Sequence, residues 1–151
     1  MIIYIGADHR GFKLKETLKN FLQNAGYTVN DMGNTEYLEG DDYPDFAKLV
    51  AQKVSANPAD SRGIVICASG VGVDIVANKF PNIRSALGFS PDQVVEARSD
   101  DDVNVLALAS DFLEEEEAKK IVSVWLQTPF DGDERDKRRI EKIRQIDYTR
   151  H

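Results

Sequence analysis

Two short segments hold the residues of this chain best suited to chemistry: Ala7-Asp8-His9 and Cys67-Ala68-Ser69-Gly70. Cys67 closes an apolar run and stands just before a helix start. A thiol there feels the helix dipole and nearby backbone N–H groups, which favours the thiolate. Ala68, Ser69, Gly70 and Gly72 are small enough for a substrate to approach the backbone, whose N–H groups can hold an oxyanion. Cys67 also reads as a small core cysteine. Asp8 suits a helix N-cap as well as a ligand. His9 is one of two histidines, and the other, His151, is the last residue, where fraying is expected. A lone histidine fits a structural role or a functional one. The glycine pattern is neither a dinucleotide fingerprint after the first strand nor a phosphate P-loop. One cysteine and one internal histidine are too few for a zinc site. No cofactor is expected.

The elements that must carry these segments can be read from periodicity. Short β-type runs at residues 2–5, 27–29, 63–67, 84–88 and 103–108 alternate with amphipathic stretches. Phe12, Leu14, Leu18, Phe21 and Leu22 recur at helical spacing before a stop at Gly26. Tyr43-Pro44 opens a second helix, with proline suited to the first turn. Further helices are expected at 73–79, from a Ser90-Pro91-Asp92 cap through Arg98, at 114–127 and at 135–146. The run 63–67 is apolar on both sides, as in a parallel sheet covered on both faces. The expected fold is α/β: a three-layer, doubly wound, parallel five-stranded sheet of Rossmann or flavodoxin type with a C-terminal helix. Residues 1–151 are expected to form one domain. Ligands of such sheets sit beyond the carboxyl ends of the strands, where both segments lie.

Composition narrows the function further. The chain has 151 residues, 42% apolar and 30% charged, ordinary for a globular domain. A net charge of −7 argues against general nucleic-acid binding. Acid gathers at residues 100–102 and 114–117, and base at 135–144; solvated helix faces would also show these patterns. No apolar run approaches the roughly 20 residues of a membrane span, and the start reads as a first strand and not a signal peptide. A lone cysteine excludes an intrachain disulfide and suits a reducing compartment, so the cytoplasm is expected.

Several motifs together carry a resemblance. They are Gly6-Ala7-Asp8-His9-Arg10-Gly11-Phe12-Lys13-Leu14-Lys15, Asp42-Tyr43-Pro44, Ile66-Cys67-Ala68-Ser69-Gly70-Val71-Gly72, Ala77-Asn78-Lys79-Phe80, Asn104-Val105-Leu106-Ala107, and Arg135 with Arg139. Nearly end to end, the chain resembles the family of type B ribose-5-phosphate isomerases and galactose-6-phosphate isomerase subunits. The resemblance implies a metal-free aldose–ketose isomerase acting on a small sugar phosphate. Cys67 would move a proton between C1 and C2 through an enediolate, and Ser69 would assist at the sugar oxygens. Backbone N–H groups across Ser69, Gly70, Val71, Gly72 and Val73 would stabilise the enediolate, with Ala68 in the same turn. Asp8 and His9 would bind sugar hydroxyls or phosphate, Tyr43 would line the pocket, and Arg135 and Arg139 would bind phosphate. The site would be shared between subunits of a homodimer or tetramer.

The departures from the family pattern are acidic. Asp100-Asp101 replaces the His-Asn pair that opens the furanose ring and supports the enediolate, Asp111 replaces a phosphate arginine, and Asp136 replaces a histidine. A carboxylate 4 Å from a substrate anion costs about 4 kcal/mol at an effective dielectric near 20. Three outcomes are open: the phosphate sits elsewhere, the substrate differs, or the acids point away. Asp100 could itself be the ring-opening acid only if burial kept it protonated. The alternatives to an ordinary isomerase are a substrate too short to form a ring, such as a tetrulose phosphate, an unphosphorylated sugar, or a non-catalytic or partner-dependent sugar-binding member.

Overall fold

The computed structural model describes residues 1–150, so His151 and its expected fraying lie outside the described residues. The chain alternates β1 (Ile2–Ala7), α1 (Phe12–Asn24), β2 (Thr28–Asp31), α2 (Tyr43–Ala56), β3 (Ser61–Cys67), α3 (Val71–Ala77), β4 (Ser85–Leu87), α4 (Pro91–Asp101), β5 (Val105–Ala109), α5 (Glu115–Gln127) and α6 (Glu134–Arg150). Every strand pairing is parallel, in the order β2-β1-β3-β5-β4. The expected doubly wound sheet is present. The last two strands are exchanged relative to the flavodoxin order, so β5 is central and β4 forms an edge.

Burial follows that order. Five of the seven residues of β3 and all five of β5 are apolar and buried, because helices cover both faces. Ile64, Ile66, Leu106 and Leu108 point to the face of α1, α4 and α5, where they meet Leu18, Val94, Ile121 and Trp125. Val65, Cys67, Val105 and Ala107 point to the face of α2 and α3, where they meet Val50, Val54, Val73 and Ala77. Burying one such aliphatic side chain contributes about 2 kcal/mol. Among the described residues, no helix is long and apolar enough to cross a membrane.

Two helix boundaries near the expected site differ from the expectation. Helix α3 starts at Val71 and not at 73, because Gly70 takes a left-handed conformation, φ +74°, and releases the chain into the helix at once. Helix α4 begins at the expected Ser90 cap, whose hydroxyl accepts the Gln93 N–H at 3.3 Å. It then runs past Arg98 to Asp101 and stops at Asp102, which is left-handed at φ +48°. The Asp102 carboxylate receives Arg84 and Arg98, and this holds the stop in place. Asp100 and Asp101 therefore end a helix instead of lying in the segment that leads into β5.

Candidate active site

The sheet changes direction at β1. From there the chain moves out to β2 on one side and returns to β3 on the other, leaving a crevice between the loops after β1 and β3. Cys67 ends β3 with 5% of its surface exposed. Beyond it the turn must double back tightly. A side chain at Gly70 would put its Cβ 2.4 Å from Leu87 and 3.0 Å from the Leu108 backbone, so only glycine fits. At Gly72 a Cβ would lie 2.5 Å from the Tyr43 ring, which lets the first aromatic residue of α2 close over the turn. Ser69 is exposed, and its Oγ accepts the Val71 N–H at 3.3 Å.

These residues enclose a cleft of about 360 Å³ lined by Asp8, Tyr43, Cys67, Ala68, Ser69, Val71, Gly72 and Ile75. Its size is in the lower range of small-ligand sites. Ile75 did not stand out in the sequence. It lies one helical turn after Val71, and both are exposed at the cleft. Val73 is buried in the core, which leaves its backbone as the part able to meet a ligand.

Asp8 follows β1 and is 6% exposed. Its Oδ1 accepts the Gly11 N–H at 3.0 Å, and Gly11, not the expected Asp8, is the N-cap of α1. Burial pushes its carboxyl above the ordinary 3.8, partly opposed by the Gly11 hydrogen bond. His9 meets a residue that the sequence did not single out. Asp41, in the long loop after β2, accepts the His9 backbone N–H at 2.7 Å and lies 2.8 Å from His9 Nδ1. That contact raises the imidazole above its ordinary 6.5. Donor atoms of Asp8, His9 and Asp41 lie within 4.8 Å of one another. With Nδ1 taken by Asp41 and Asp8 by Gly11, the trio reads as a hydrogen-bonded group.

The loop after β5 joins the other two. Ser110 Oγ lies 2.9 Å from the Arg10 carbonyl and 3.1 Å from that of Cys67. Asp111 is ion-paired with Arg10, so this acid is not an isolated negative charge. The remaining expected residues are elsewhere in the chain. Arg84, just before β4, donates to the Asp101 carbonyl at 2.9 Å, which places the end of α4 at the amino edge of the sheet. Asp131, ahead of α6, donates its N–H to the Ser99 carbonyl there. Arg135 and Arg139 flank Asp136, which is 1% exposed and held below the ordinary carboxylate value by the Arg135 hydrogen bond. Asp100 is half-buried beside the Ser99 hydroxyl, and Asp101 is exposed. The strand run from Gly63 to Cys67 alone separates the two ends by roughly 13 Å. One copy of the chain thus brings Cys67, Ser69, Asp8 and Tyr43 together, and keeps Asp100, Asp101, Arg135 and Arg139 apart from them.

Comparison with known proteins places the fold and the family. A probable ribose-5-phosphate isomerase B of Mycoplasma pneumoniae is 46% identical over 148 residues, 98% of this chain and 95% of that one. The crystal structure of ribose-5-phosphate isomerase B from Mycoplasma genitalium with bound ribulose-5-phosphate superposes with a TM-score of 0.95 at 41% identity, covering 97% of this chain and 96% of that one. A D-erythrulose-4-phosphate isomerase of Pectobacterium atrosepticum is 34% identical over 149 residues, 99% of this chain and 95% of its own. The sequence model described as Ribose/Galactose Isomerase matches residues 3–143. A match of that extent makes the chain a member of the ribose/galactose isomerase family.

Proposed function

We propose that the protein interconverts an aldose phosphate and a ketose phosphate, with ribose 5-phosphate and ribulose 5-phosphate as the pair, and that Cys67 is the base. The observation that carries this reading is the Cys67–Gly72 turn. It presents a lone thiol, an exposed serine and a compact cleft at the switch point of a fold shared with ribose-5-phosphate isomerases B. Cys67 would take the C2 proton of the open-chain aldose and return it to C1. Ser69 would support transfer between the two oxygens, and backbone N–H groups across Ser69, Gly70, Gly72 and Val73 would stabilise the enediolate. Asp8, with its carboxyl raised by burial, would meet a sugar hydroxyl, and Tyr43 and Ala68 would wall the cleft. His9 would face the phosphate.

Arg135 and Arg139 complete the reading if a second copy supplies them. Their guanidinium groups are more than half exposed, and they lie at the wrong end of their own sheet. A homodimer that sets the α6 start of one copy against the Cys67 cleft of the other would join the halves, with Asp100 and Asp101 at the same seam. The acids then cost less than their number suggests: Asp111 is matched by Arg10, and Asp136 by Arg135 and Arg139. The reading treats residues 1–151 as one domain at work in the cytoplasm, where the thiol stays reduced.

A shorter substrate is the second reading. Asp100 occupies the position where a ring-opening histidine is expected, and a tetrulose phosphate cannot close to a furanose. The similarity to a D-erythrulose-4-phosphate isomerase favours giving this reading a place. The test is an isomerisation assay of C4, C5 and C6 aldose and ketose phosphates and their unphosphorylated forms. Turnover of ribose 5-phosphate that is lost in Cys67→Ala supports the first reading. Turnover of the C4 pair alone supports the second, and no turnover of any overturns both.

A further inference from the structure

The loop between β2 and α2 contributes a group that no motif marked. Asp41 is 32 residues from His9 in sequence, yet one of its oxygens receives the His9 backbone N–H at 2.7 Å and lies 2.8 Å from Nδ1. Its side chain is 5% exposed, against 21% for His9. The carboxylate is itself held from behind. Asn34 Nδ2 donates to its second oxygen at 3.4 Å, and the Asn34 carbonyl accepts from Lys15 Nζ at 2.7 Å. Lys15 is fully buried and grips Asp31, at the end of β2, with 2.6 and 2.8 Å contacts. A chain of hydrogen bonds thus runs from a buried lysine on α1 to the His9 imidazole, next in sequence to the cleft residue Asp8.

A carboxylate can only accept, so the nitrogen facing it carries the proton in both the neutral and the cationic ring. Nε2 is then the nitrogen left for a ligand. The other groups facing the ring are Asp8, Arg10 and the edge of Tyr37, whose centroid is 6.3 Å away. Two of the charged three are acidic, so the local field favours the imidazolium.

We propose that Asp41 is a positioning residue: by accepting Nδ1–H it fixes the orientation of the His9 ring and favours the cationic ring, whose Nε2–H then donates to the phosphate of the substrate. This rests on the isomerase reading for the identity of the anion, while the state of the ring is independent of it. A role limited to pinning the loop would leave the tautomer and the phosphate dependence unmoved.

The test begins with the wild-type protein, by 15N–1H imidazole NMR from pH 5 to 9, with His151→Gln to assign the two rings. The expected result is a His9 ring with Nδ1–H at high pH and a titration midpoint above 6.5. An Nε2–H tautomer, or a midpoint at or below 6.5, overturns the proposal and needs no variant. In Asp41→Asn the midpoint should fall by about one unit. At pH 7 the KM for the phosphorylated sugar should rise about tenfold while kcat changes less than about twofold, the weight of one charge-assisted hydrogen bond. Equal loss in kcat, or an unmoved midpoint, also overturns it. If wild-type protein turns over no sugar phosphate, the isomerase reading fails, yet the NMR result still decides what Asp41 does.

Discussion

The two ends of the sheet are built on opposite terms. At the carboxyl edge, Cys67, Asp8 and the glycine turn are set by backbone geometry and close packing: Gly70 has no room for a Cβ, Gly72 lies against the Tyr43 ring, and Asp8 is nearly buried. At the amino edge, Arg135 and Arg139 are exposed and are ordered chiefly by the buried Asp136 between them. The first region has its geometry before any ligand arrives, which is what a proton transfer between neighbouring carbons requires. The second carries charge whose value rises when something desolvates it. On the proposed reading, the groups for chemistry and for anion binding are separated in one copy, and a second copy would join them.

The sharpest way to break this comparison is Cys67→Ala. The kcat should fall by about 10³-fold, the range of one acid–base group, with melting nearly unchanged because the lost atom is one sulfur. Retained activity would remove the thiol from the mechanism. Subunit mixing tests the seam. When Cys67→Ala protein is reassembled with an Arg135→Ala/Arg139→Ala variant, about half the sites of each mixed dimer should be wild type at low substrate, and activity should reappear. If mixing restores nothing, each copy works alone.

Lys15→Met should cost about 3 kcal/mol in urea unfolding, since it leaves Asp31 without its closest cation in a largely buried place. The sign with pH follows from Asp31. Burial raises its carboxyl, but hydrogen bonds from Lys15 and Lys19 outweigh this and hold it below 3.8. That contribution is present above pH 3.8 and is lost as pH falls through the lower folded value. The gap between variant and wild type should therefore close in acid, and a gap that widens there would contradict the assignment. Gly72→Ala is expected to be milder, about 1 kcal/mol of stability, because Tyr43 is 38% exposed and its ring can move. Its KM should rise several-fold, which an unmoved KM would refute. Arg135→Ala alone should be the smallest of these changes in stability, near zero for so exposed a group, with about tenfold in the KM for a phosphorylated sugar and none for its unphosphorylated form.

Local chemistry was legible in the residue order. Apolar runs, the proline at the start of α2, the Ser90 cap and the small residues after Cys67 act over a few positions, so the alternation of strands and helices and the turn at Cys67 followed directly. The interior place of one strand was legible too, because 63–67 is apolar on both sides, whereas the exchange of β4 and β5 was not. What sequence spacing could not carry were partnerships across the sheet: His9 with Asp41, Arg10 with Asp111, and Lys15 with Asp31. The polar loop before α2 looked like connection, since nothing nearby marks Asp41 as bound. The acids that looked like repulsion proved to be paired or held at the far edge. A carboxylate has the same residue code whether a guanidinium or a phosphate will face it. Its effect depends on distance and burial, and those exist only once β1, β3 and β5 have brought their loops to one edge.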